Sequence, residues 1–252
     1  MGIIGRFFDA NRRVRHWMER RLPDRFVRSF NVRYVETVSA YLNEARQPVV
    51  VDIGAGKESH FIDRISEDVA PRLVGVDIDP AEIAVNPDLD LKVVCDVAQS
   101  RVFAEQSVDF LVSRSVVEHL HDNAAFIRSA GEILKPGGMF IHLFPGRYAP
   151  FAIINRLLPD AVARRILYFF HPQFREPCGF KPYYDRCYYS AMKSMLEENG
   201  FEVVAIERRY YQSLYLDFFA PFFLIGLLYD YLAYLSGIPN LASQLLVIAR
   251  KK

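Results

Sequence analysis

Two short segments of the chain combine acids and glycines in a way that suits a small polar cofactor. Residues 49–56 form a β-branched run that ends in Asp-x-Gly-x-Gly, and residues 73–77 form a second apolar run that ends on Asp77. Glycines at such a turn lack the Cβ atoms that would hold a ligand away from the backbone. An acid about twenty residues beyond the glycines can accept hydrogen bonds from both hydroxyls of a ribose. The spacing predicts one nucleotide-like ligand that contacts both segments.

The elements that must position these segments follow in an alternating order. Further apolar runs predict strands at residues 91–96, 108–113 and 138–143. Before the last of them, apolar residues recur at three- and four-residue steps, which is typical of one helical face; they are Val117, Leu120, Ala124, Ile127, Ala130 and Leu134. The Lys-Pro-Gly-Gly run at 135–138 ends that helix. Such alternation predicts a doubly wound parallel sheet, in which ligands lie beyond the carboxyl ends of the strands.

These motifs together resemble the class I S-adenosylmethionine-dependent methyltransferases, in particular the methyltransferase type 11 group. The matching segments are residues 51–56, 75–77, 95–97, 113–120, 134–138, 201–204 and 245–249. The resemblance implies an α/β fold with a Rossmann-like, doubly wound seven-stranded sheet of order 3-2-1-4-5-7-6 and helical insertions. It also implies S-adenosyl-L-methionine as the cofactor. The chain departs from the pattern at Glu58, where many relatives have a third glycine.

The resemblance further implies a set of cofactor-binding residues. By position they are Asp52, Gly54, Gly56, Asp77, Ile78, Asp96, Val97 and Ser113. In the family, the first loop holds the methionine part of the cofactor and the acid after the second strand binds the ribose. The residues after the third strand contact the adenine, and the residue that leaves the fourth strand lies near the sulfonium.

A nicotinamide-dependent dehydrogenase shares the strand, the glycine loop and the acid. Such an enzyme needs a third small residue where its helix meets the pyrophosphate. Here Lys57 and Glu58 occupy the loop, and an acid beside a diphosphate is electrostatically unfavourable. A methionine zwitterion with a positive sulfonium suits this loop better.

Composition indicates one folded unit with insertions. The chain has 252 residues, of which 51% are hydrophobic and 24% charged, so it can bury a large core. Its cysteines, Cys95, Cys178 and Cys187, are odd in number and lack the spacing of metal ligands, which indicates a reducing, cytoplasmic setting. We expect no metal site and no nucleic-acid partner.

The N-terminal residues 1–28 form a basic amphipathic segment before a methyltransferase domain at 29–252. Residues 1–30 contain eight arginines and three acids, whereas the net charge of the whole chain is +1. Apolar side chains between the arginines predict a helix that lies on an anionic bilayer, at the inner face of the membrane. The alternative is a solvated helix packed on the domain. Because arginines interrupt every apolar run, we expect no secretory signal.

An apolar, aromatic insertion separates the last two predicted strands, at residues 211–240. Its uncharged core, residues 218–229, is too short for a membrane-spanning helix, and residues 231–249 are expected to form a loop and a strand. A large exposed apolar patch usually marks a contact. We expect contact with a membrane or lipid, and packing against the domain or in a homodimer is the alternative.

A second insertion, residues 146–182, follows the fifth predicted strand and is interpreted as a substrate lid. Its arginines, lysine and tyrosines suit a sugar or a phosphate-bearing lipid head, because arginine binds phosphate through paired hydrogen bonds. A structural cap is the alternative interpretation. His119, expected to open the helix after the fourth strand, is the candidate catalytic base, with His142 and His171 as rivals and a structural role as the alternative.

The sequence therefore predicts a methyltransferase that methylates an oxygen of a glycan, a glycolipid or a lipid-linked small molecule. Two other functions remain open at this point. One is C- or N-methylation of an apolar metabolite, and the other is a non-catalytic, cofactor-binding subunit of a membrane-associated assembly.

Overall fold

A single mixed sheet organises the chain. The computed structural model describes residues 3–97, 102–170 and 180–252. The strands are β1 (Val49–Ile53), β2 (Arg72–Asp77), β3 (Leu91–Val94), β4 (Val108–Arg114), β5 (Leu134–Pro145), β6 (Phe201–Arg209) and β7 (Gln244–Lys251). Their order is β3-β2-β1-β4-β5-β7-β6. The first five are parallel, and β7 runs antiparallel to both β5 and β6. The predicted fold and strand order are confirmed.

Helices cover both faces of the sheet. They are α1 (Ile3–Glu19), α2 (Asp24–Val27), α3 (Phe30–Leu42), α4 (Pro80–Ala84), α5 (Asn123–Ile133), α6 (Pro150–Leu157), α7 (Asp160–Phe170), α8 (Tyr189–Glu198) and α9 (Ala220–Ser236). One apolar layer contains Tyr34 and Val38 of α3, and the other contains Ile127 of α5 and Leu196 of α8. Two covered faces explain why the central strands read as continuous apolar runs.

The segment after β4 differs from the prediction. A 3-10 turn at Val117–His119 precedes α5, and the helix begins only at Asn123. The Asp122 side chain accepts a hydrogen bond from the Ala125 amide at 3.0 Å and so caps the helix there. The apolar spacing suggested that His119 opens the helix, but His119 lies in the turn before it. The helix also ends earlier, because Leu134 and the Lys-Pro-Gly-Gly run already belong to β5.

The apolar insertion is more helical than the sequence indicated, whereas the N-terminal helix is interrupted. Residues 231–236 continue α9 and are not a loop; Gly237, in the left-handed region at φ 64°, ends the helix. The predicted N-terminal helix is divided into α1 and α2 by a turn that contains Pro23. Within the described ranges, no helix has both the length and the apolar content needed to cross a membrane.

Candidate active site

The carboxyl ends of β1, β2 and β4 meet at one level. Ile53 pairs with Val76 on one side and with Ser113 on the other, so the next residue of each strand, Gly54, Asp77 and Arg114, stands at the same edge. This is the edge at which an open parallel sheet binds its ligands.

Position 54 requires a glycine for both steric and conformational reasons. Its φ is +67°, and a Cβ atom built on it would lie 2.3 Å from Cγ2 of Val116, in the segment after β4. Its amide donates to the Val76 carbonyl at 2.7 Å, which directs the loop toward β2. Gly56 also has a positive φ, of +50°. The glycine loop is thus pressed between two neighbouring strand ends, with its backbone open to a ligand.

Asp77 holds this loop in place. Its Oδ2 atom accepts the Gly56 amide at 3.0 Å, and its Oδ1 atom accepts the Asp79 amide at 2.9 Å. A carboxylate oxygen has further lone pairs, so both atoms keep acceptor capacity for hydroxyl groups. Ile78, the next residue, is 52% exposed and offers an apolar surface beside that carboxylate. Asp96 and Val97, which follow β3, are partly buried.

A polar turn before β3, which the sequence analysis missed, braces the glycine loop. The Asn86 side chain is fully buried and donates from Nδ2 to the Gly56 carbonyl at 3.1 Å. Asp88 accepts the Ser59 amide at 2.8 Å. The run Asn-Pro-Asp at 86–88 was the available signal, but it reads equally well as an ordinary turn. The loop is therefore held in its shape by hydrogen bonds from the protein itself.

Asp52 is a buried carboxyl group beneath the loop. Burial raises its pKa to about 7, although a hydrogen bond from Ser59 Oγ, at 3.0 Å to Oδ2, and the charge of Arg114 both oppose the shift. Arg114 is partly buried, which lowers the pKa of its guanidinium group, and it contacts the ring of His60. An acid and a cation thus stand together at the glycine loop. No local motif singles out Arg114, because its proximity to Asp52 depends on the pairing of β1 with β4.

Ser115 adds local backbone strain at the same edge. It is exposed and has a φ of +59°, which a residue with a Cβ atom seldom adopts. Its amide donates to the Leu143 carbonyl of β5 at 2.8 Å, and this bond fixes the strained turn. Strained residues of this kind concentrate at functional sites.

Ser113 and His142 lie inside the packed sheet. Both are fully buried, and Ser113 Oγ is 2.6 Å from His142 Nδ1. Burial lowers the pKa of His142 to about 3, so its ring stays neutral. With no exposed surface, His142 cannot reach an acceptor, and the rival proposal of His142 as the base is wrong. The hydroxyl of Ser113 hydrogen-bonds to His142 inside the sheet. The structure therefore does not support the expected position of Ser113 near the sulfonium.

His119 lies in the 3-10 turn that follows β4, and 30% of its side chain is exposed. Burial lowers its pKa, and a hydrogen bond to the backbone of Lys181 opposes that shift. Its Nδ1 atom is buried and has no hydrogen-bond partner within the described ranges. The ring centroid of Phe180 is 6.4 Å away. His119 is therefore a neutral imidazole beside the last part of the lid. The third candidate, His171, lies outside the described residues, as does Cys178.

Glu118 ties the segment that directly follows the predicted lid to the turn after β4. Its carbonyl accepts the amides of Tyr183 and Tyr184 at 2.8 and 2.9 Å. Burial raises the pKa of its side chain to about 8, and Oε2 has no partner among the residues the structure describes. That segment is thus anchored on the residue next to His119.

A cavity of about 310 Å³ opens between the end of α6 and the end of the lid. Its lining is Asn155, Arg156, Leu158, Pro159, Lys181, Pro182 and Tyr183. The structure thereby places two cations, Arg156 and Lys181, next to the segment that hydrogen-bonds to His119. The remainder of the predicted lid, residues 171–179, lies outside the described residues.

A family model described as "Methyltransferase domain" matches residues 14–206, which is more than half of the chain. The chain belongs to the methyltransferase domain family. A probable S-adenosylmethionine-dependent methyltransferase of Mycolicibacterium smegmatis is 35% identical over 102 residues, which cover 39% of this chain and 38% of that protein. The ubiquinone biosynthesis O-methyltransferase of Xanthomonas axonopodis pv. citri is 32% identical over 160 residues, or 57% of this chain and 65% of the other.

Among solved structures, an S-adenosylmethionine-dependent methyltransferase of Mesorhizobium loti superposes with a TM-score of 0.54 at 19% identity, covering 86% of this chain and 96% of that one. This likeness concerns the fold. The matched regions span less than two thirds of both curated relatives. The predicted membership of the class I S-adenosylmethionine-dependent methyltransferases is confirmed, and S-adenosylmethionine is the cofactor.

The described residues fit that cofactor. Gly54 is exposed and Gly56 has open space where a Cβ atom would lie, so the backbone of the loop is accessible to a ligand. Asp52 and Arg114 present opposite charges to an amino acid zwitterion, and Asp77 presents acceptors to a ribose. The expected cofactor-binding roles remain predictions for each residue.

We expect Asp52→Asn to separate binding from stability. At pH 8 the buried carboxylate is ionised at a cost, so removing the charge should raise the free energy of unfolding by about 2–4 kcal/mol. The difference should shrink as pH falls from 7 and should nearly vanish only below about pH 4, because the carboxyl group of the unfolded chain stays ionised down to its ordinary pKa of 3.8. Loss of the charge should also weaken S-adenosylhomocysteine binding by roughly tenfold or more at pH 8. Denaturant titration and calorimetry measure the two effects, and a variant less stable than the parent at pH 8 would contradict the assignment.

We expect Glu118→Gln to flatten the pH dependence of stability. The folded chain holds a proton on Glu118 up to about pH 8, whereas the unfolded chain releases it near the ordinary pKa of 4.5. Stability from this group is therefore present at low pH and is lost as pH rises toward 8. Melting temperatures measured from pH 5 to pH 9 test this. Glu67→Gln, at an exposed position, is the matched control and should keep the slope of the parent.

Proposed function

We propose that this protein transfers a methyl group from S-adenosylmethionine to an oxygen of a glycan, a glycolipid or a lipid-linked small molecule. The observation that carries the proposal is the convergence of the glycine loop, Asp77 and Arg114 at one sheet edge. The buried carboxyl group of Asp52 beneath the loop supports cofactor binding, and a turnover measurement separates an enzyme from a cofactor-binding scaffold.

The cofactor-binding roles follow from charge and position. Asp52 receives the α-ammonium group and Arg114 the α-carboxylate, since a zwitterion is best held by one group of each sign. Asp77 accepts the ribose hydroxyls, and Ile78 packs against the adenine together with Val97. The bound cofactor supplies an electrophilic methyl group whose leaving group is neutral. The protein has then to hold the acceptor close, aligned and away from water.

His119 is the proposed base. An alcohol or phenol must lose its proton when it becomes an ether, and a neutral imidazole can accept it. Burial keeps the pKa of His119 below its usual value, so the ring is ready to accept a proton at neutral pH. Its Nδ1 atom has no hydrogen-bond partner among the described residues and, because it is buried, takes the proton only when the bound acceptor displaces the contacts that cover it. Glu118 and the backbone of Lys181 hold the turn and the lid around it.

The basic cavity supports an acceptor that carries an anionic or polyhydroxyl group. Arg156 and Lys181 line it together with Asn155 and Tyr183, which can hydrogen-bond to hydroxyls or phosphate oxygens. The name of the Xanthomonas relative, an O-methyltransferase of ubiquinone biosynthesis, supports an oxygen acceptor on a lipid-linked molecule. We place the reaction in the cytoplasm, at the inner face of the membrane, on the basis of the arginine-rich first helix.

The first test separates the two halves of the cofactor. Arg114→Met should weaken S-adenosylhomocysteine binding by roughly tenfold or more, because a charge-assisted hydrogen bond is lost, and should leave adenosine binding unchanged. Asp77→Asn should weaken the binding of both ligands. Arg72→Met, at the exposed opposite end of β2, is the control and should change neither. Equal losses for both ligands in Arg114→Met would contradict its assignment to the carboxylate.

The second test concerns the reaction. Incubation of membrane lipid extracts with a labelled methyl donor should give a labelled methyl ether. His119→Ala should lower kcat by about a hundredfold and keep the affinity for S-adenosylhomocysteine, and added imidazole should restore part of the rate. A labelled methyl group that resists ether cleavage would reject the oxygen assignment in favour of C- or N-methylation. No turnover, with cofactor binding intact, would favour the scaffold.

A further inference from the structure

The helix α9 carries a broad apolar face that the protein does not cover. One side of the helix is buried, at Phe223, Leu227, Asp230 and Ala233. The opposite side is exposed and entirely without charge; it consists of Pro221, Phe222, Leu224, Ile225, Leu228, Tyr229, Leu232 and Leu235. Leu228 and Ile225 are 60% and 68% exposed. We call these eight residues the α9 face.

A buried anchor fixes this rotation of the helix. Asp230 is the single charged residue of α9 and is 1% exposed. Its Oδ2 atom accepts hydrogen bonds from the amides of Gln212 and Ser213, at 2.7 and 2.8 Å, and from Ser213 Oγ at 2.6 Å. Turning the α9 face inward would bring Asp230 out of these bonds. The exposure of the face is therefore built into the fold.

Aromatic contacts join the α9 face to the first helix. Phe7 of α1 stacks on Phe219 with centroids 6.4 Å apart, and Phe219 meets Phe222 at 5.0 Å. Asn11 accepts the Ala220 amide at 2.9 Å, so α1 is held at the start of α9. Because Phe7 and Phe222 are both about half exposed, the outer surfaces of α1 and α9 are continuous.

A second set of contacts joins the helix α7 to the same surface. Phe170 stacks on Phe218 at 3.8 Å, and Phe218 meets Phe222 at 6.3 Å. Phe169, the neighbour of Phe170, is 67% exposed. Three helices from distant parts of the chain thus share one apolar surface, far larger than the single exposed side chains common on soluble proteins.

The charge around this surface indicates what covers it. The exposed side of α1 carries Phe7, Val14 and Trp17 together with Arg6 and Arg13. Arg21 lies over the Trp17 ring, 3.7 Å from its centroid. Such a mixture of arginines, tryptophan and apolar side chains is typical of helices that lie in the headgroup region of anionic membranes. In a two-fold dimer the same arginines would approach one another, which is unfavourable.

We propose that the α9 face, with the exposed aromatic residues of α1 and α7, is a docking surface for an anionic lipid bilayer. The apolar side chains enter the headgroup boundary while the arginines of α1 contact lipid phosphates.

The position of this surface indicates where the methyl acceptor meets the protein; this inference rests on the proposed function. The helix α6, which contacts α7, ends at the basic cavity. Its Ile154 and Leu157 are 55% and 78% exposed. Docking would bring the cavity entrance to the bilayer, so the acceptor is a molecule with its polar head at the headgroup level.

Flotation of the whole chain with vesicles tests the surface. Phosphatidylglycerol-containing vesicles should carry the protein, and pure phosphatidylcholine vesicles or high salt should reduce the bound fraction severalfold. Ile225→Glu with Leu228→Glu should lower binding by roughly tenfold or more, since each replaces an exposed aliphatic side chain that enters the bilayer with a charged one. Val204→Glu, at an exposed position of the edge strand β6, is the control and should bind as the parent does.

Two further measurements distinguish failure of this proposal from failure of the proposed function. S-adenosylhomocysteine affinity in solution should be the same for the parent and for the α9 variant, which also shows that the variant is folded. Sedimentation should give a monomer for both. A chain that ignores anionic vesicles, or a dimer that dissociates in the α9 variant, would overturn the docking surface whether or not methyl transfer occurs.

Discussion

The site depends on the close contact between the glycine loop and its two neighbouring strand ends. Gly54 has no room for a Cβ atom because Val116 occupies that space, and the Gly56 amide is bound to the Asp77 carboxylate. These contacts bring an acid, a cation and an open backbone to one level of the sheet. Each of them requires the parallel pairing of β1 with both β2 and β4. The sheet register is therefore the constraint from which the cofactor site follows.

The electrostatics of the site follow from burial. Asp52 and Glu118 are carboxyl groups whose pKa values rise because burial in the protein removes them from water. His119 and His142 are shifted in the opposite direction for the same reason. The two histidines nonetheless differ in exposure, since His142 is fully buried within the sheet while 30% of the His119 side chain is exposed. Accessibility, not proton affinity, selects the candidate base.

The helices outside the sheet form two surfaces of different chemistry, one basic and one apolar. Cations of the α6 region and the lid line a cavity beside His119, whereas α1, α7 and α9 present aromatic and aliphatic side chains joined by ring contacts. The Asp230 anchor keeps α9 in the rotation that exposes its apolar side. The basic cavity at the end of α6 and the apolar surface that includes α7 are thus linked by the contact between these two helices, which is consistent with the proposed reaction at a lipid–water boundary.

The sequence by itself determined the class of fold and the main cofactor motif. Apolar runs that end in Asp52, Asp77 and Asp96 reflect local constraints on strands, turns and caps, and the order of such motifs is specific to one family. Only the tertiary structure decided that Arg114 stands by Asp52, that Ser113 pairs with His142, and which side of α9 faces out. It also moved His119 from a helix to a turn. These facts depend on register and packing between segments far apart in the chain, which periodicity along one segment does not encode.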